Sequence, residues 1–153
     1  MSIIGHSMGG HGALCTYLAS KAKQYRSASA FAPISNPINA PWGKKAFEGY
    51  LQGGVQEAKE QYDATELISK HSDPVYILID YVRHNLPLIS LKIDIKNTKT
   101  QGTNDTFYKA GQLLPENFLN AARAAGYNEE QVRVREQVGY DHSYYFVSSP
   151  CVL

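Results

Sequence analysis

Three side chains in this sequence have the types and the order that acyl-transfer chemistry requires. Ser7 lies in Gly5-His6-Ser7-Met8-Gly9, a G-x-S-x-G pattern. Asp105 follows in Gly102-Thr103-Asn104-Asp105-Thr106-Phe107, and His142 in Gly139-Tyr140-Asp141-His142-Ser143. A serine hydroxyl is a weak nucleophile until a histidine takes its proton. The histidine works best when a carboxylate fixes its tautomer and stabilises its cation. Ser7, Asp105 and His142 can fill these roles, and they stand in the order nucleophile, acid, base. Asn104 is the adjacent polar position and the weaker candidate for the acid. The backbone N–H of Met8, at the start of the helix that should follow the serine, can donate to an oxyanion.

The pattern works only where a strand turns sharply into a helix and presents the serine at the apex, a nucleophile elbow. Ile3-Ile4 reads as the buried strand. His11 to Ser20 reads as the helix, with Ala13, Leu14, Tyr17 and Leu18 on one side. Gly5 and Gly9 are expected to be glycine because a Cβ at either would clash across the turn. Ser27 to Ala32 reads as a second buried strand. Strand, helix, strand implies a parallel pair in an α/β sheet. Pro33, Pro37 and Pro41 mark an extended loop carrying Trp42, the single tryptophan. Such loops lie at the carboxyl ends of parallel strands, so Trp42 is a candidate pocket wall as well as a loop anchor. Lys44 and Lys45 read as solvated.

Further along, Ala46 to Leu51 and Val55 to Gln61 read as helices. Asp63-Ala64-Thr65-Glu66 matches a capping box, so Asp63 reads as a helix cap, not as a catalytic acid. Val75 to Asp80 is expected to be a strand buried on both faces. Tyr81 to Thr100 fits no element well; the alternation over Leu91 to Lys96 allows a hairpin strand, and His84 reads as incidental. Glu116 to Ala125 reads as a helix stopped by Gly126, and Val132 to Gln137 as a strand. His142 then falls in a loop just after the last strand, where a general base belongs.

The totals narrow the function classes. The chain has 153 residues, 43% of them hydrophobic, and a formal net charge of +1. That suits one domain and gives no electrostatic argument for nucleic acid or a membrane surface. No stretch is long and apolar enough to cross a bilayer, and the N-terminus lacks a secretory pattern. Cys15 and Cys151 have no metal-ligand or redox spacing, so neither a metal nor a cofactor is expected. A reducing compartment is the expectation.

The run Gly5 to Leu14 is similar to that of S-formylglutathione hydrolase, the esterase D family. So are Ser29-Ala30-Phe31-Ala32-Pro33-Ile34, Pro41-Trp42-Gly43-Lys44-Lys45-Ala46-Phe47, Tyr62-Asp63-Ala64-Thr65, Gln112 to Phe118, and Gly139 to Phe146. The resemblance implies an α/β-hydrolase fold and a cytosolic serine hydrolase. Its substrate would be a glutathione thioester, S-formylglutathione, cleaved to glutathione and formate in formaldehyde detoxification. It also implies esterase activity on small acyl esters and a homodimer. By position it makes Ser7 the nucleophile, His142 the base, Asp105 its partner and Met8 N–H an oxyanion donor, with Trp42 beside the acyl group. A general short-chain carboxylesterase or acyltransferase on the same fold is the second reading. A non-catalytic fragment is the third.

Three departures from the family are expected to matter. The elbow begins at residue 5, so the strands that precede it in the family, with a second oxyanion N–H, are absent. Residues 81–100 are an unmatched insertion, with the look of a translated intron. Residues 149–153 are a divergent tail. The sequence therefore predicts a single incomplete α/β-hydrolase domain over 1–153, from a partial gene model or a truncated splice form. Isolated, it is expected to fold poorly and to be nearly inactive, because an unpaired apolar edge invites aggregation and one lost oxyanion donor costs about 3 kcal/mol.

Overall fold

The computed structural model describes residues 1–20, 24–82, 105–137 and 140–148. Asn104, His84, Cys151, the hairpin considered at 91–96 and the tail at 149–153 lie outside the described residues. Four strands form one sheet: β1 (Ser2–His6), β2 (Ser27–Phe31), β3 (Ile77–Val82) and β4 (Val132–Gln137). They are parallel and lie side by side in sequence order, β1-β2-β3-β4.

Alternation along each strand separates two faces. Ala28, Ala30, Ile77, Ile79 and Val132 point to one, with Ile3 and Val134 beside them. That face is covered by α1 (Met8–Ala19) through Leu14 and Leu18, by α4 (Ala64–Lys70) through Ile68, and by α6 (Pro115–Ala124) through Phe118 and Ala122. Helix α1 depends on this cover. It holds Gly9, Gly10 and Gly12, each costing about 1 kcal/mol relative to alanine in a helix interior. Burial of Leu14 and Leu18 at roughly 2 kcal/mol each offsets that. On the opposite face Ile4 is 60% exposed, and Arg133 and Arg135 replace apolar residues.

A second cluster sits at the carboxyl ends of the strands. Phe31 and Val82, the last residues of β2 and β3, pack with Leu113 and Phe146, and Trp42, Tyr108 and Tyr140 lean against them. Phe146 belongs to α7 (Tyr144–Ser148), which follows His142 directly.

Several boundaries differ from the sequence reading. The strand expected over Val75 to Asp80 runs instead from Ile77 to Val82. Tyr76 is not buried: it is 60% exposed, its N–H accepted by Tyr17 Oη at 3.0 Å. Tyr81 and Val82, which fitted no element, continue β3 and pair with Glu136 and Gln137. The strand over Ser27 to Ala32 stops at Phe31, because Ala32 turns to φ 41°. Helix α2 (Gly43–Tyr50) starts three residues early, at Gly43, with Trp42 as its N-cap. Helix α3 (Gly54–Gln61) and α6 match expectation to within one residue, and α6 closes at Gly126.

Candidate active site

Ser7 is placed by backbone strain. Its φ of 54° and ψ of −120° lie in a region that L-residues rarely enter. The N–H of Ser7 donates to Phe31 O at 2.9 Å, and its carbonyl accepts from His11 N at 3.0 Å, so both sides of the turn are tied down. Gly5 makes the turn possible: a Cβ there would lie 2.0 Å from Gly9 O. Gly9 does not need to be glycine on this ground, contrary to the sequence reading. A Cβ at Gly9 meets nothing within 4 Å among the described residues. The second tight position is Gly10, where a Cβ would come 3.1 Å from Pro33 Cβ.

The structure brings Ser7, His142 and Asp105 together. Ser7 Oγ donates to His142 Nε2 at 2.8 Å, and His142 Nδ1 donates to Asp105 Oδ2 at 2.8 Å. That pair of contacts selects the Nδ1–H tautomer and leaves Nε2 free to accept the serine proton. Asp105 is fully buried, and its other oxygen is also engaged. Oδ1 accepts from Phe107 N at 2.9 Å and Tyr108 N at 3.2 Å, capping α5 (Thr106–Lys109). Thr106 and Phe107, just after Asp105, are therefore already helical.

Met8 is the first residue of α1, so its N–H leads out of the helix start beside Ser7. Trp42 lies in the wall of a cleft of about 400 Å³, with Met8, Phe47, Tyr50 and Leu51. Its Nε1 donates to Gln112 Oε1 at 3.0 Å, and Gly43 lets its loop press on the turn at Pro37–Asn39, where a Cβ would lie 1.8 Å from Pro37 O.

Asp63 is a cap, as the sequence indicated. Its Oδ1 accepts from Thr65 N and Glu66 N at the start of α4. It does more than cap, because Asn36 Nδ2 donates to both its oxygens and Ile38 N donates to Oδ2. The loop that carries Trp42 is thereby moored to α4.

Two residues near the site carried no sequence signal of their own. The ring of His6 stands 4.9 Å from that of His142, and the ring of Phe107 stands 4.6 Å from it. Burial holds the His6 imidazole below the ordinary histidine value, and the neighbouring His142 pushes it the same way. A histidine in the variable position before Ser7 was the available hint. In the wall of the cleft, His11 Nε2 donates to Tyr62 O at 2.8 Å, and burial lowers its pKa. Burial raises the Cys15 thiol to about 12, so it is not a nucleophile.

An esterase family, described as "Putative esterase", matches residues 1–149. The S-formylglutathione hydrolase of Rattus norvegicus is 47% identical over 152 residues, covering 97% of this chain and 44% of that protein. That of Arabidopsis thaliana is 47% identical over 149 residues, with 97% and 43% covered. Among solved structures, an S-formylglutathione hydrolase from Agrobacterium tumefaciens superimposes with a TM-score of 0.70 at 34% identity, over 96% of this chain and 44% of that one. The chain thus spans less than half the length of these relatives. No helix among the described residues is long and apolar enough to cross a membrane. The strained serine, the parallel sheet that carries it and these matches agree: the chain belongs to this esterase family and has part of an α/β-hydrolase fold.

Proposed function

We propose that this chain carries the nucleophile, base and acid of a thioester hydrolase acting on S-formylglutathione. The observation that supports it most is the unbroken hydrogen-bonded line Ser7–His142–Asp105 at a positive-φ serine. In this reading Ser7 Oγ attacks the thioester carbonyl while His142 Nε2 takes the hydroxyl proton. The tetrahedral oxyanion forms beside Met8 N–H. Its collapse breaks the C–S bond, and His142 returns the proton to the departing thiolate of glutathione. Water, activated by the same imidazole, then releases formate and restores Ser7. Asp105 stays ionised and stabilises the imidazolium in both steps. The homodimer, the cytoplasmic location and the place in formaldehyde catabolism belong to this proposal and rest on similarity to the rat and plant enzymes. A non-catalytic fragment is the weaker reading, because all three polar side chains of the line lie within this chain.

A second reading, a short-chain carboxylesterase, is favoured by the cleft beside Met8 and Trp42. Its lining is mostly apolar and includes Met8, the residue after Ser7, which suits a small acyl chain. Purified chain and its Ser7→Ala variant should be compared on S-formylglutathione and p-nitrophenyl acetate, with mass-spectrometric mapping of a fluorophosphonate adduct. The proposal expects slow turnover with preference for the thioester, an adduct on Ser7, and loss of both in Ser7→Ala. Preference for the acetate ester selects the second reading. Absence of an adduct on Ser7 refutes both.

A further inference from the structure

His6 ends β1, the strand that delivers Ser7, and it touches the segment that delivers the base from the far end of the chain. Its ring lies 4.9 Å from His142, tilted by 45°, and 5.0 Å from Tyr144 of α7, tilted by 49°. The hydrogen bond that these contacts flank joins residues 135 apart in sequence. His6 Nε2 is buried and has no hydrogen-bond partner among the described residues. The charged ring would bury an unsatisfied N–H at Nε2 and place a cation against His142, so the neutral ring is the form the site favours. Phe107, at 4.6 Å, is the other ring against His142, and it comes from α5, next to Asp105.

We propose that His6 is a positioning residue: its neutral ring holds the His142 imidazole in line between Ser7 and Asp105. The inference rests on the triad reading and adds to it a residue that never touches substrate. The ionisable groups around His6 are His142 and Asp105, with the Tyr144 hydroxyl on α7. Asp105 favours a charge on His6, while burial and His142 oppose it more strongly. A proton on His6 would place a cation against the His142 ring, which burial of His6 opposes.

The test uses the whole chain with His6→Ala, which removes the ring, and His6→Phe, which keeps a ring and removes the titration. Proton NMR reads the low-field Nδ1–H resonance of His142, and the rate of fluorophosphonate labelling of Ser7 reads its use. The expected result is that the resonance persists in wild type and His6→Phe and broadens away in His6→Ala. Labelling falls roughly tenfold in His6→Ala and returns to within about threefold of wild type in His6→Phe. An unchanged resonance in His6→Ala, or labelling in His6→Phe no faster than in His6→Ala, overturns the proposal. If wild type is not labelled at Ser7 while the resonance still follows the ring at position 6, the nucleophile reading falls and the positioning role stands.

Discussion

Asp105 meets His142 with one carboxylate oxygen and holds a helix start with the other. Oδ2 lies 2.8 Å from His142 Nδ1, while Oδ1 accepts from Phe107 N and Tyr108 N. The proposed alignment of His142 and the local folding share one side chain, and substitution can separate them. Asp105→Asn keeps an oxygen for the cap but presents an amide to Nδ1 and favours the wrong tautomer. Its labelling or turnover rate should fall by about 10⁴, with a urea midpoint close to wild type. Asp105→Ala should lose the same rate and about 1 kcal/mol of stability as well. Equal urea midpoints for the two variants would show that the cap contributes nothing.

The glycines of the elbow are unequal. Gly5→Ala must force its Cβ against Gly9 O, 2.0 Å away, and should destabilise by about 3 kcal/mol or prevent folding. Gly9→Ala enters open space and should leave the stability of this chain unchanged or slightly raised, since alanine is the better helix former. Denaturant midpoints of the two variants test the contrast, and a larger loss for Gly9→Ala contradicts it.

Cys15 should behave as a closed thiol. With its pKa pushed up to about 12 by burial, it carries almost no thiolate near neutrality. Iodoacetamide at pH 8 should leave Cys15 unmodified in the folded chain and modify it rapidly in urea, as read by peptide mapping. Cys15 is half-buried in the wall of the cleft, so fast native alkylation would show that its thiol is not held up in this way.

Acid should weaken the fold through His11. Its folded pKa lies below the ordinary 6.5, so the unfolded chain takes up a proton first as the pH falls. The stability from the neutral, buried ring is fully present above about pH 6.5 and is lost as pH drops from there toward the lowered folded value. Urea midpoints of wild type should decline below that pH, and those of His11→Gln, whose amide can still donate to Tyr62 O, should decline less steeply. Parallel curves would remove His11 from the account.

The face of the sheet opposite α1, α4 and α6 bears Ile4 at 60% exposure, on the strand at one edge. Apolar surface on an open strand edge favours self-association. Ile4→Lys should lower the sedimentation-average mass of concentrated chain relative to wild type. An identical distribution would place the sticky surface elsewhere.

The sequence was most informative where chemistry and backbone geometry coincide. A glycine before the serine, apolar residues ahead of it and a helical stripe behind it leave few other conformations, so the elbow was legible. Asp105 and His142 could be picked out by order alone, and only the folded chain brings them into hydrogen-bonding line with Ser7. Strand ends were less clear. Val75 and Tyr76 resemble Ile77 and Leu78 in composition, and only pairing with Ala28 and Val132 shows where the ladder begins. The demand on Gly9 was misjudged because it depends on what lies across from that position, which residue type does not reveal. His6 was hidden for a related reason: its partner, His142, is brought to it only by the completed fold.

The serine and its base are separated by 135 residues, with all four strands in sequence order between or beside them. Synthesis therefore delivers the Ser7 hydroxyl before the His142 imidazole by that length of chain. Throughout that interval the hydroxyl has no base and is no more reactive than any other serine. The pairing of that hydroxyl with the imidazole waits for β4 and the short helix α7 after it. A chain cleaved between β3 and β4 would keep β1, β2 and β3 in register and still leave Ser7 without His142.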